Sequence, residues 1–144
     1  IKHTMPDVYE QTRFHQENEK WPFRVKPQIV FITLGQNDGA KAMNQYVKNY
    51  VGFLRRLRKR YPSSYFICCT SPMADRTFKE KLNTSLQKIV QIQRMRGDNK
   101  VRSFSYKGTY TAGYAKHPTL VQHQQIMNEL MLFVRSQKGI QGFI

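Results

Sequence analysis

Residues 26–38, KPQIVFITLGQND, carry the pattern on which the fold turns. After Pro27, residues 28–34 (QIVFITL) run through β-branched and aromatic side chains at odd and even positions alike. A short run apolar on both faces predicts a buried strand of a parallel sheet. Gly35 ends the run and the polar loop GQNDG follows directly. Beyond it Ala42, Met43, Tyr46, Val47, Tyr50, Val51, Leu54 and Leu57 recur at spacings of three and four. That period predicts an amphipathic helix stopping near Tyr61 and Pro62.

The unit then repeats. Residues 64–70 (SYFICCT) predict a second buried strand, with Ser71 and Pro72 in its terminating loop. Phe78, Leu82, Leu86, Ile89, Val90 and Met95 form the stripe of a second helix, broken by Gly97, Asp98 and Asn99. Residues 101–106 (VRSFSY) predict a third strand, 107–116 a Gly- and Tyr-containing loop, and 120–134 a last helix with Thr119 as its N-cap. Strands and helices in alternation imply an α/β fold with a parallel sheet wound by right-handed crossovers. The expected organisation is an irregular or briefly helical segment over 1–26, one domain over 27–138 and a tail over 139–144. A single domain suits 144 residues that are 40% hydrophobic.

The chain carries 24 Lys and Arg against 9 Asp and Glu, a formal charge of +15. Such an excess points to an anionic neighbour: nucleic acid, phospholipid or an acidic polysaccharide. Lys48, Arg55, Arg56, Arg58, Lys59, Lys79, Lys81, Lys88 and Arg94 fall on predicted helices, where a solvated face is the plainer account. No nucleic-acid module signature accompanies them. Cys68 and Cys69 are adjacent within a strand, so they point to opposite faces and form neither a disulfide framework nor a metal site. His3, His15, His117 and His123 are scattered without ligand spacing, and no Gly-rich phosphate loop follows a strand, so no metal or cofactor is expected. No apolar stretch approaches the roughly 18 residues of a membrane span, and no secretory h-region opens the chain. The start at Ile1 is expected to reflect a processed, excised or partly observed polypeptide.

In parallel sheets the loops leaving the carboxyl ends of the strands carry the chemistry. GQNDG, TSPMAD and the segment ending in AKHP qualify, and two of them hold suggestive groups: Asn37 with Asp38, and His117. Taken singly, Asn-Asp-Gly is ordinary turn chemistry and a His before Pro at a helix start is ordinarily structural.

Taken together, the blocks resemble a family. KPQIVFITLGQND resembles the strand and third signature block of the SGNH (GDSL-type) hydrolases, where a Gly-x-Asn-Asp loop follows a buried strand. HPTLVQHQQIMNEL (117–130) resembles their last block, in which a catalytic His precedes Pro and opens the final helix. RRLRKRYPSSYFICCTSPM (55–73) resembles the acetyl-xylan and related acetylesterases of the second carbohydrate esterase family. The resemblance runs from Trp21 to Phe133 and covers the C-terminal portion of such a domain. It implies a three-layer α/β/α sandwich with flavodoxin-like winding, and an extracellular or secretory location. It also implies a serine esterase that deacetylates a carbohydrate or related ester. By the same resemblance Asn37 donates its amide to the oxyanion and His117 is the general base, while Gly35, Asp38 and His123 support the site. Trp21 is either a platform for a sugar ring or a packing residue.

The chain departs from the family at two places. The nucleophilic Ser belongs to a Gly-Asp-Ser block on the first strand, and none of Ser63, Ser64, Ser71, Ser85, Ser103, Ser105 and Ser136 has that context. The family's second block, whose Gly is an oxyanion donor, is missing too. The nucleophile and the first two strands are therefore expected from another segment, another chain or unobserved sequence. The acid that orients the base, three residues before it, is replaced by Tyr114. By resemblance to the second carbohydrate esterase family, a Ser-His dyad tolerates that loss. The competing expectation is a catalytically inactive scaffold of the same fold, binding a polyanion, nucleic acid or larger assembly through its basic surface. Acyl transfer to a sugar would use the same residues as hydrolysis.

Overall fold

In the computed structural model, which describes residues 4–12, 19–39, 42–140 and 142, three strands pair in parallel in the order of the sequence. β1 (Ile29–Thr33) sets Phe31 opposite Ile67 of β2 (Tyr65–Cys69), and β2 sets Ile67 opposite Arg102 of β3 (Val101–Phe104). Each strand lies within the stretch predicted for it.

The helices divide between the two faces as the strand pleat requires. α2 (Met43–Arg60) and α3 (Arg76–Met95) cover one face, where Tyr50, Leu54, Leu82 and Leu86 meet Ile32, Phe66, Cys68 and Val101. α4 (Leu120–Ser136) covers the other, where Val134, Ile126, Leu130 and Phe133 meet Ile67, Cys69, Tyr106 and Tyr110. Cys68 and Cys69 thus enter different cores, as their adjacency on a strand demands. Burial pushes both thiols up to about 12, which leaves them as inert packing groups. No described helix is long and apolar enough to cross a membrane.

The N-terminal segment is briefly helical, as α1 (Met5–Val8), and leans on α2: Tyr9 meets Phe53 edge-on at 5.1 Å and Phe23 lies 6.3 Å from Tyr61. His3 and His15 lie outside the described residues.

Two of the basic residues expected on solvated faces are not there. Lys79 is only 7% exposed, because it shares the stripe of Leu82, Leu86 and Gln93, and its ammonium donates to the Gly108 carbonyl and to Thr109 Oγ1. Arg58 is half-buried: its Nε and Nη2 donate to the two oxygens of Asp98 at 2.8 and 3.0 Å. Its guanidinium lies 4.1 Å from the Phe66 ring and donates to the carbonyls of Tyr61 and Ser64. It therefore locks the α2–β2 connection to the turn after α3.

One side of the sheet is left open. β1 pairs only with β2 among the described residues, and Phe31, on the same face as Ile29, is 45% exposed. Leu120, Val121, Met127 and Leu132 of α4 are exposed as well. A strand predicted to be buried on both faces is thus covered on one and only partly on the other.

Candidate active site

The loop after β1 is built on Gly35. Its φ of +107° lies where side-chained residues are strained, and an added Cβ would stand 2.9 Å from Leu82 Cδ2 and 3.0 Å from Tyr46 Cε2. Tyr46 in turn donates its hydroxyl to the Leu34 carbonyl at 3.1 Å, and Tyr50 does the same to Ile32 at 3.1 Å. The end of β1 is thereby tied to α2, and the Asp38 N–H closes the turn onto the Gly35 carbonyl at 3.2 Å. Asn37 stands exposed at this turn, its side chain without a hydrogen bond among the described residues. Beside it, Gln36 Oε1 is buried with no partner among the described residues.

The loop after β2 is a scaffold. Ser71 is buried and its hydroxyl accepts from the Met73 N–H at 3.1 Å, while Asp75 caps α3 by accepting from the Phe78 N–H at 2.8 Å. Thr109 Oγ1 donates to the Ala74 carbonyl at 2.9 Å, and Tyr110 N–H to that of Pro72 at 2.9 Å. The middle loop therefore carries the third.

That third loop presents His117. Glu129 of α4 accepts the Lys107 N–H at 2.7 Å and the Tyr110 hydroxyl, and this bond raises the Tyr110 phenol to about 12. Lys79, its amine lowered by burial, supports the Gly108 carbonyl from α3. Ahead of His117, Ala115 and Lys116 adopt φ of 50° and 61°, left-handed values rare outside glycine. Thr119 caps α4 as predicted, accepting the Gln122 N–H at 3.2 Å.

Asn37 and His117 come from loops at the same edge of one sheet, leaving β1 and β3, whose ends are two strand spacings or about 10 Å apart. Both are exposed, and the His117 ring bonds to no carboxylate and no serine among the described residues. Tyr114, three residues before His117, is 95% exposed. His123 is exposed on the first turn of α4, and Asp38 is exposed beside Asn37. Trp21 is not brought to this edge: its N–H bonds the Glu10 carbonyl at 2.7 Å, and the flanking Tyr9 and Phe23 lie on the C-terminal half of α2. Two grooves of about 310 and 350 Å³ lie elsewhere, one beside Arg94, Arg102 and Phe133, the other among Glu10, Arg56, Lys59 and Arg60. Sequence reading missed Gln122, Glu129 and Lys79 as holders of the His117 loop. Only Gln122 had a signal, the Thr-x-x-Gln of a capping box.

No family model matches the chain. It is 28% identical over 136 residues to a curated acetylxylan esterase / glucomannan deacetylase of Cellvibrio japonicus, covering 85% of this chain and 36% of that protein. Among solved structures, a family two carbohydrate esterase from Clostridium thermocellum in complex with cellohexaose superposes with a TM-score of 0.74 at 25% identity, over 83% of this chain and 39% of that one. A family two carbohydrate esterase from Cellvibrio japonicus superposes with a TM-score of 0.81 at 22% identity, over 92% and 40%. The chain thus has the α/β fold of the family two carbohydrate esterases and is homologous to an acetylesterase, while spanning 36–40% of the length of these three relatives.

Proposed function

On that kinship we propose that the chain contributes the oxyanion donor and general base of a serine esterase that removes acetyl groups from a carbohydrate or related ester, the nucleophilic Ser lying outside this chain. The observation that carries the reading is that Asn37 and His117 lie in loops that leave the carboxyl ends of two strands of one parallel sheet, both exposed. His117 takes the proton from the serine hydroxyl as its oxygen bonds to the acyl carbon, and Asn37 donates to the oxyanion that forms. Collapse breaks the ester C–O bond, and His117 returns the proton to the departing sugar oxygen, which leaves as a hydroxyl. Water repeats the sequence on the acyl-enzyme and releases acetate; a sugar hydroxyl in place of water would make the reaction a transfer.

The uncovered flank of β1, with Phe31 exposed beside it, is where a further parallel strand would bring the serine to this edge. The test is acetate release from acetylated xylan by the polypeptide that contains both this chain and the Gly-Asp-Ser segment. His117→Ala and Asn37→Ala should each lower kcat by about a hundredfold or more. Unchanged turnover in both variants would reject the assignment.

A second reading, a scaffold without activity, is favoured by Tyr114 standing exposed where the acid would be and by the charge of +15. It predicts salt-sensitive binding to heparin or RNA and no acetate release from the same complete polypeptide.

A further inference from the structure

The turn that carries His117 is held by a side chain for which the ester chemistry itself has no use. Gln122 Oε1 accepts two backbone hydrogen bonds, from the Thr119 N–H at 3.2 Å and from the Ala112 N–H at 2.9 Å. The first, together with the Thr119 hydroxyl accepting from the Gln122 N–H, is the reciprocal capping box of α4, and helix capping accounts for it fully. The second does not follow from capping. Ala112 lies ten residues upstream of Gln122, on the far side of the turn. One oxygen therefore joins the two ends of the segment 112–119.

Inside that closed segment the backbone is held tightly. The Gly113 N–H donates to the His117 carbonyl at 2.7 Å and the His117 N–H to that of Tyr114 at 3.0 Å. Ala115 and Lys116 sit consecutively in the left-handed region, a conformation that non-glycine residues keep only where their surroundings enforce it. The ring of His117 projects from this turn with no hydrogen bond to a carboxylate among the described residues, so its direction is set by the backbone beneath it.

We propose that Gln122 is the positioning residue of His117, pinning both ends of its turn in place of the acidic partner that this chain lacks at Tyr114. Its catalytic meaning rests on His117 being the base; the pinning itself does not.

Three variants separate pinning from capping. Gln122→Met keeps the side-chain shape and loses the acceptor, Gln122→Glu keeps an acceptor oxygen, and Thr119→Ala removes the other half of the capping box while leaving the bond to Ala112. Amide hydrogen exchange at Ala112 and His117, and nuclear relaxation of the His117 ring, are read on this chain, with helix content followed by circular dichroism. Gln122→Met should speed exchange at Ala112 and His117 about tenfold and mobilise the ring. Gln122→Glu should remain near wild type, and Thr119→Ala should loosen only the first turn of α4. Equal loosening of the turn by Thr119→Ala and Gln122→Met would reduce Gln122 to a cap and overturn the proposal, as would no change at Ala112 in Gln122→Met. The measurement needs no nucleophile, so its failure is distinct from an active His117→Ala variant, which would instead reject the base.

Discussion

Gly35→Ala should be among the most damaging single-methyl additions in this chain, and its cost divides into two measurable parts. The first is backbone strain: at φ of +107° an L-residue is held in a disfavoured region, which costs about 1–2 kcal/mol. The second is overpacking, because the new methyl meets Leu82 Cδ2 at 2.9 Å and Tyr46 Cε2 at 3.0 Å. Tyr46 cannot turn aside without losing its bond to the Leu34 carbonyl, so this part costs a further 1–3 kcal/mol, as overpacking ordinarily does (about that range). The control is Gly39→Ala, in the same loop, at φ of +66° with nothing within 4 Å of the new methyl, which carries the strain alone. At about 2–4 °C per kcal/mol for a chain near this size, Gly35→Ala should lower Tm by roughly 5–15 °C and Gly39→Ala by only a few degrees. Thermal and urea unfolding followed by circular dichroism measure both. Equal losses, within about 0.5 kcal/mol, would show that Leu82 and Tyr46 do not brace the Asn37 loop, and the account of that loop would fall.

Arg58→Ala should cost about 3 kcal/mol, because it leaves the Asp98 carboxylate with only the Lys100 N–H as donor and removes donors from the carbonyls of Tyr61 and Ser64. Arg58→Lys should recover little of it, since an ammonium cannot form the paired bonds; full rescue by Lys in urea unfolding would contradict this. Alkali should unfold the protein. Cys68, Cys69 and Tyr110 are all raised to about 12 from 9 and 10, so each supports the fold below its unfolded value and withdraws that support as pH climbs toward 12. Urea midpoints should fall between pH 8 and 11, and a flat profile would refute the assignment. The open flank of β1 should drive self-association of the chain on its own, relieved by Phe31→Lys; sedimentation of a monomer by the unmodified chain would count against an uncovered sheet edge.

Much of the scaffold was legible because its elements obey simple periods. Tyr46, Tyr50, Leu54 and Leu57 announce α2 by spacing alone. The Cys68-Cys69 pair was readable as two core residues on opposite faces, and Thr119 as a cap. Lys79 and Arg58 were misread because a charge on a helix is ordinarily solvated. What buries them is a carbonyl and a carboxylate supplied from residues 108 and 98, which local pattern does not contain. Phe31 was expected inside because QIVFITL is apolar on both faces, and whether both are covered depends on a neighbour of β1, not on β1. Of the candidate site, Asn37 and His117 are legible only as a pair of blocks in the right order. The left-handed Ala115 and Lys116, and the bond from Ala112 to Gln122, left no trace, since neither residue type signals that conformation.

The most direct test of the central claim is a distance: from His117 Nε2 to the nearest serine Oγ in a crystal structure that contains this chain and whatever pairs with the free edge of β1. The account predicts a serine on that added strand within hydrogen-bond reach, roughly 2.6 to 3.2 Å, with the Asn37 amide facing the same pocket. A pocket without a serine, or one filled by Tyr114 or a basic side chain, would contradict it.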